Sequence, residues 1–130
     1  MALYLITFGV GFNQNLGNDR AEVDQRARTD AALATAFSLG LAWHGGQGAI
    51  FVRTDVSIED VTNRMLAVLH EPDPVLVVEI PAGAAVRFGG SRFDEDSFDD
   101  LFPQAVELPH VHPFPAAPFR DPLLPGSRKR

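Results

Sequence analysis

Two pairs of side chains are the first candidates for chemistry in this chain: a Trp-His pair and a His-x-His pair. Trp43 and His44 precede a glycine-rich turn, where an aromatic ring and an imidazole could line a pocket. His110 and His112 stand two positions apart in a proline-rich stretch, so in extended backbone both rings point to one side and could bind zinc or nickel. Two ligands are too few for such a site, and a lone histidine without a placed acid or nucleophile is no general base. A third ligand would have to come from His70 or from the acidic run, which leaves a metal-binding protein as a further alternative. Solvent-exposed histidines are the default, and we expect neither a bound metal nor a cofactor.

An acidic run is the third candidate. Five carboxylates lie between residues 94 and 100 and could bind calcium: Asp94, Glu95, Asp96, Asp99 and Asp100. The run lacks the glycine and the final glutamate of an EF-hand loop, so calcium gains little support. We expect a solvated acidic segment that is anchored on its other side by Phe93, Phe98 and Phe102.

The composition narrows the classes of function. The chain has 130 residues, enough for one compact domain, and no cysteine, which excludes disulfides, thiolate metal sites and cysteine nucleophiles. Its formal net charge is −6, and three of its 11 basic residues are the last three. A phosphate-binding surface needs clustered Lys and Arg, so nucleic acid is not favoured as a partner. No apolar run is long enough to span a bilayer and no signal peptide is recognisable, so we expect a cytoplasmic protein without membrane contact.

Periodicity and turn residues predict the elements that must position these side chains. Residues 3–8, 49–54 and 75–80 have the apolar, β-branched character of strands, and residues 41–44 form a shorter strand before a glycine hairpin. Residues 21–39 favour a helix that is capped by Asn18 or Asp19 and ends at Gly40. We expect this first helix to pack through Val23, Ala27, Ala31, Ala34 and Phe37.

The second helix is the best-defined element of the sequence. Ser57 and Asp60 form a variant of the capping box at its start, and Val56 and Val61 form a hydrophobic staple. An apolar stripe at helical spacing then predicts the face that packs on the sheet: Ile58, Val61, Met65, Val68 and Leu69.

The order of these elements predicts an α+β fold. We expect a ferredoxin-like βαββαβ sandwich in residues 1–90, with a four-stranded antiparallel sheet and two helices on one face. Seven of the ten prolines lie between Pro103 and Pro125. Residues 91–130 are therefore predicted to be an acidic and then proline-rich C-terminal extension that docks only in part.

Alternation along the strands separates two faces of the predicted sheet. We expect the helices to cover the more apolar set: Tyr4, Ile6, Phe8, Ile50, Val52, Thr54, Leu76, Val78 and Ile80. The other face is too apolar for water alone and predicts an interface at Leu3, Leu5, Phe51, Val75 and Val77. A second copy of the chain is the preferred partner because twofold dimers are the commonest oligomers, and the C-terminal extension folding back is the alternative.

Several stretches within residues 1–90 form a recognisable set: LYLITFGV, the Trp43–His44 pair, AIFVRTDVSIEDV, and EPDPVLVVEI followed by a glycine-rich stretch. Together they resemble the small SinR-like proteins, a family grouped with the CRISPR spacer-acquisition adaptor proteins and the virulence-associated protein D toxins. The resemblance implies a ferredoxin-like domain that dimerises, in a superfamily where some members are metal-dependent nucleases. Those relatives carry an aspartate at the end of the first strand, where this chain has Thr7, Phe8 and Gly9. Without that aspartate, a hard cation such as magnesium lacks a carboxylate ligand at this position.

The expected function follows from the apolar second face, the acidic surface and the missing aspartate. We expect a dimeric interaction or regulatory protein that has no catalytic centre of its own and binds a second copy or a further protein partner. The alternative is a metal-dependent endoribonuclease or toxin-like protein of the same superfamily. It would have to use other carboxylates, such as Asp19, Asp24 or Asp55.

Overall fold

The structure, a computed structural model, describes residues 1–12, 15–46 and 48–109 of the chain. The described elements are β1 (Ala2–Phe8), α1 (Asn18–Phe37), β2 (Leu41–Gly46), β3 (Ala49–Thr54), α2 (Ile58–Leu66), β4 (Val75–Ile80), β5 (Arg87–Phe88), α3 (Glu95–Leu101) and β6 (Val106–Glu107). His110, His112 and the proline-rich end of the predicted extension lie outside the described residues. Within these residues, no helix has the length and apolar character needed to cross a bilayer.

Four of the strands form one antiparallel sheet in the order β2-β3-β1-β4, which confirms the predicted α+β class. The central strand β1 pairs with β3 on one side and with β4 on the other. The remaining two strands, β5 and β6, form a separate parallel pair. In the described sheet β2 and β4 are therefore the edge strands.

The main core lies between one face of the sheet and the helices α1 and α2. Strand residues Ile6, Ile50 and Val52 are fully buried there against Val61 and Met65 of α2. The predicted start of α2 is confirmed, because the Ser57 hydroxyl accepts a hydrogen bond from the Asp60 amide at 3.2 Å. Its predicted apolar stripe is also confirmed, since every member packs into this core: Ile58, Val61, Met65, Val68 and Leu69.

The predicted packing face of α1 is wrong. Val23 is 69% exposed and Phe37 is 44% exposed, and Ala27 and Ala34 are exposed as well. The helix instead buries Ala21, Arg28, Ala32 and Ala36, and Gly17 rather than Asn18 or Asp19 is its N-cap residue. Small alanines let the helix lie close to the sheet, while the buried Arg28 requires a partner that the periodicity of apolar residues does not reveal.

The predicted facing of β4 is also wrong. The register pairs Leu5 with Val78 and Thr7 with Leu76, so Leu76, Val78 and Ile80 share the second face with Leu3 and Leu5. Val75 and Val77 lie on the helix side instead and pack against the main core. A strand that is apolar on both faces gives no local signal for which face is buried, so its register with β1 decides.

The second face of the sheet is covered over part of its width by residues 86–109, which we call the cover. Phe98, Leu101 and Phe102 are buried in it, against Leu3, Leu41, Trp43 and Phe51 of the sheet and Val86, Phe88 and Ala105 of the cover itself. Helix α3 contacts β2 and β3, and no residue of β4 belongs to this second cluster. Among the residues that the structure describes, the chain folding back therefore covers the half of the face that includes β2 and β3, and not the half that includes β4.

The hairpin between β2 and β3 depends on glycine at Gly48. Its φ angle is +77°, in the left-handed region that side chains disfavour. A Cβ atom at this position would stand 2.8 Å from the Phe8 carbonyl oxygen. The Gly48 carbonyl in turn accepts a hydrogen bond from the Phe8 amide at 3.3 Å, so the hairpin is tied to the end of β1.

The cover contributes to the stability of the domain, and Phe98→Ala tests this. Phe98 is buried and its ring meets the Trp43 ring edge-on at 4.9 Å, so we expect the variant to lower the free energy of unfolding by about 3–4 kcal/mol. The matched control is Phe93→Ala, because Phe93 is 79% exposed and its loss should change stability by less than about 0.5 kcal/mol. Denaturant unfolding followed by the fluorescence of Trp43, the only tryptophan, measures both. Equal stabilities for the two variants would contradict the packing of α3 on the sheet.

Candidate functional site

The uncovered half of the second face is the principal candidate for a functional surface. We define the open strip as Leu5, Thr7, Leu76, Val78 and Ile80, which share this face in the pairing of β1 with β4. Leu76 is 59% exposed and Val78 is 43% exposed, while Leu5, Thr7 and Ile80 are half-buried. Neighbouring apolar side chains that remain exposed on a folded sheet are typical of an interaction surface.

The predicted interface residues divide between the two faces. Leu3, Leu5 and Phe51 lie on the second face as expected, but Leu3 and Phe51 pack against the cover and only Leu5 belongs to the open strip. Val75 and Val77 pack toward the helices. Leu76 and Val78 take their place in the open strip, and the reason is the register of β4 described above.

Within the described residues, the backbone of β4 has unpaired hydrogen-bonding groups along the edge that faces away from β1, which we call the free edge. The Gly9 amide donates to the Pro74 carbonyl at 3.1 Å, which continues the β1–β4 ladder by one position. Because hydrogen-bonded pairs alternate in an antiparallel ladder, Leu76, Val78 and Ile80 direct their backbone groups toward β1. The amides and carbonyls of Val75, Val77 and Glu79 therefore point away from β1, toward the free edge. The Phe8–Gly48 bond on the opposite side of β1 has the alternation that this assignment requires.

The free edge carries few of the features that protect an edge strand from pairing. Sheet edges are usually blunted by lysine, proline or a bulge within the strand. β4 has the sequence VLVVEI, in which Glu79 is the only charged residue and proline is absent. Pro74 and Pro81 flank the strand on its two sides. The exposed apolar strip and the unpaired backbone edge thus belong to the same six-residue strand.

A buried polar junction lies at the end of the sheet where β4 begins. Arg28 and Asp73 are each only 7% exposed and form a direct ion pair. Arg28 also binds the Asp24 carboxylate at 2.8 Å and the Gly11 carbonyl at 2.6 Å. Asp73 accepts the Gly11 amide at 3.2 Å and the His70 amide at 3.0 Å. This polar junction joins α1 to the loops that precede α1 and β4.

The surroundings of the polar junction explain the ionisation of its members. Burial alone would raise the pKa of Asp73, but the amides of His70 and Gly11 and the Arg28 guanidinium together lower it below its ordinary value. The hydrogen bond to Asp24, reinforced by Asp73, raises the pKa of Arg28 despite its burial. A cleft of about 600 Å³ borders the junction, with walls from residues 9–12 and 72–74. The donors of Arg28 are used within the protein, so the junction has a structural role.

The structure does not bring Trp43 and His44 together in one pocket, because consecutive strand residues point to opposite faces. The Trp43 indole donates to the Phe93 carbonyl at 2.5 Å, and its ring packs between Phe51 and Phe98. His44 lies on the helix side and borders a cleft of about 180 Å³ that also includes Thr29 and Leu33. Its Nε2 atom is buried and has no hydrogen-bond partner among the described residues.

The carboxylates do not assemble into a metal centre in the described part of the chain, which contains no group of three or more His, Asp or Glu residues suited to hold an ion. Asp24 binds Arg28, and Asp55 lies 4.0 Å from the N-terminal amine. In the acidic run, Asp94 caps α3 through the Ser97 amide, and Arg92 pairs with Asp99 at 2.8 Å. Phe98 and Phe102 anchor the run as predicted, whereas Phe93 is exposed and contributes its carbonyl rather than its ring.

Sequence reasoning missed the polar junction and the open strip's true residues. Arg28 and Asp73 are 45 positions apart, and neither belongs to a motif that would suggest the other. The sequence did offer one signal for the facing of β4, which is the position of its residues relative to Pro74. A proline has no amide to donate, so it limits how the strand that it flanks can pair.

Comparisons with known proteins add no relative. No protein-family profile, no curated protein and no solved structure matches the chain. The site must therefore be interpreted from its own geometry.

The polar junction predicts a large difference between two conservative substitutions. Asp73→Asn removes the buried one of the two carboxylates that pair with Arg28, so we expect the free energy of unfolding to fall by about 3 kcal/mol. Glu22→Gln removes a carboxylate from the exposed pair with Arg26, 3.6 Å apart, and should cost less than about 0.5 kcal/mol. Urea unfolding at neutral pH measures both. A loss of stability in Asp73→Asn no greater than in Glu22→Gln would show that the ion pair contributes nothing.

The same junction predicts a pH dependence of stability. The pKa of Asp73 is lower in the folded protein than in the unfolded chain, so its contribution is complete above the unfolded value of about 4 and is lost as the pH falls through the folded value. The stability difference between the unaltered chain and Asp73→Asn should therefore be constant from pH 5 to pH 7 and shrink below about pH 4. Urea unfolding as a function of pH measures it. A difference that grows on acidification would contradict the assignment.

Proposed function

We propose that this protein is a non-catalytic, dimeric interaction or regulatory module with a ferredoxin-like arrangement, and that it docks through the open strip. The element order and the strand order β2-β3-β1-β4 support the ferredoxin-like arrangement. Membership of the small SinR-like proteins, proposed from the sequence resemblance, is compatible with this arrangement. Within the wider superfamily, an adaptor role suits the chain better than a nuclease role, because Gly9 follows the first strand where catalytic relatives carry aspartate.

One observation carries the proposal: the open strip leaves Leu76 and Val78 exposed beside each other although the chain covers the other half of the same face. That half is covered by α3 and by the segments of β5 and β6, so half of this face is buried within the described part of the molecule. Burial of apolar area is the dominant favourable contribution to protein association. A partner whose apolar side chains pack beside Leu76 and Val78 would bury part of the open strip.

The proposal fits the distribution of charge. The strip contains no charged residue, while the chain as a whole carries a formal net charge of −6. Interface centres are typically poor in charge and surrounded by polar residues. The negative net charge of the chain disfavours nonspecific self-association and so favours a partner that matches the strip in shape and in apolar character.

Replacing both exposed residues of the strip with lysine tests the proposal. We expect the purified chain to sediment as a dimer at high micromolar concentration, and Leu76→Lys/Val78→Lys to weaken dimerisation by more than about tenfold, because the substitution places charges in a surface that becomes buried. Sedimentation velocity over a concentration series measures this.

The control is Val23→Lys, which adds one lysine at an apolar residue of α1 that is 69% exposed and outside the strip. It should dimerise as the unaltered chain does. An unaltered chain that remains monomeric throughout the concentration series would contradict the proposed dimer. Equal dimerisation of Val23→Lys and the double variant would show that the open strip is not the dimerisation surface.

A further inference from the structure

We infer that two copies of the chain associate by pairing their β4 strands antiparallel about a twofold axis at Val77, so that two four-stranded sheets become one continuous sheet. This inference rests on the proposed function and specifies the geometry of its dimer. It differs from a dimer in which two open strips pack face to face, because the contact is made by the edge of the sheet and its backbone.

The hydrogen-bonding groups at the free edge support this register. Val75, Val77 and Glu79 direct their amides and carbonyls outward, as the ladder with β1 requires. A twofold axis at Val77 places Val77 opposite its own copy and Val75 opposite the second copy's Glu79. Each outward residue then meets an outward residue, and the three hydrogen-bonded pairs exchange about six backbone hydrogen bonds.

Neighbouring registers use fewer of these groups. An axis at Val78 pairs Val77 with Glu79 but sets Val75 against Pro81, which has no amide to donate. An axis at Leu76 pairs Val75 with Val77 and leaves Glu79 outside the paired region. Either arrangement makes about four hydrogen bonds within β4 rather than about six. Because β4 is bounded by Pro74 and Pro81, the axis at Val77 is the one that uses the whole strand.

The side chains of β4 are also self-complementary in this register. On the face of the open strip, Leu76 of one copy stands directly opposite Val78 of the other, which makes two apolar cross-strand pairs. On the helix side, Glu79 faces Val75 and not another Glu79, so no like charges meet. The two open strips then join into one apolar surface that crosses the twofold axis.

A second copy fits this edge better than an unrelated strand does, because two demands are met at once. Identical strands have equal length between their flanking prolines, and the outward groups are symmetric about Val77. An unrelated strand could form hydrogen bonds to the same backbone groups. Only a second copy necessarily matches both the length and the charge pattern of β4.

Engineered cysteines test the register directly, since the chain has no cysteine of its own. With the axis at Val77, residue 76 of one copy lies about 4.5 Å from residue 78 of the other between Cα atoms, which is a non-hydrogen-bonded pair. That separation lies within the range of about 4.4–6.8 Å that a disulfide spans. Residue 76 is about 7–8 Å from its own copy, and so is residue 78, which is too far.

The full-length variants Leu76→Cys and Val78→Cys are therefore oxidised with glutathione disulfide separately and as a mixture. We expect a covalent dimer only in the mixture, with an intact mass equal to the sum of the two different chains. A covalent dimer from Val78→Cys alone or from Leu76→Cys alone overturns the axis at Val77, because each result belongs to a neighbouring register. No cross-linking in any sample, in a chain that sediments as a dimer, overturns strand pairing while leaving the dimer itself in place.

A pair of charge variants tests the same contact without cysteine. Leu76→Lys/Val78→Lys places like charges directly opposite each other in both cross-strand pairs, whereas Leu76→Lys/Val78→Glu places opposite charges there. We expect the Lys/Glu variant to dimerise at least about tenfold more tightly than the Lys/Lys variant in sedimentation velocity at low salt. Equal weakening of both variants would falsify the pairing and indicate a face-to-face contact.

Discussion

The hydrogen bonding of β1 to a strand on each side determines which surfaces of this protein are covered and which are free. Its alternate residues bond to β3 and to β4, and its side chains alternate between the helix core and the second face. Tyr4 and Ile6 consequently pack in the core beneath the helices, while Leu3 and Leu5 lie on the opposite face of the sheet. The cover, the open strip and the outward groups of β4 all follow from this register.

Local signals were sufficient for part of the fold. The capped start of α2 and its apolar stripe are encoded within residues 56–69, so they could be predicted without knowledge of the rest of the chain. The α+β class followed from the order of the elements. In contrast, β4 is apolar on both faces, so its parity depends on pairing with β1, a strand about seventy positions earlier in the chain.

Long-range pairing also explains why the face of α1 and the candidate site were only partly predictable. A helix face is normally inferred from its apolar residues, yet α1 buries an arginine whose partner Asp73 comes from a distant loop. The expectation of an apolar second face was correct at Leu3, Leu5 and Phe51. Which half of that face stays open depends on where α3 docks, and short elements such as α3 and β5 carry little periodicity to predict from.

The parallel pairing of β5 with β6 makes the cover a closed segment. Its two ends are held together at residues 87–88 and 106–107, and the Val106 amide donates to the Val86 carbonyl at 3.0 Å. The two ends of the segment are hydrogen-bonded to each other, and its aromatic residues pack together. Such a segment is expected to unfold locally as one cooperative unit. Its amides should then exchange with solvent together, and separately from those of the sheet. Opening of the cover would therefore fully expose Trp43 and Phe51, which are half-buried beneath it.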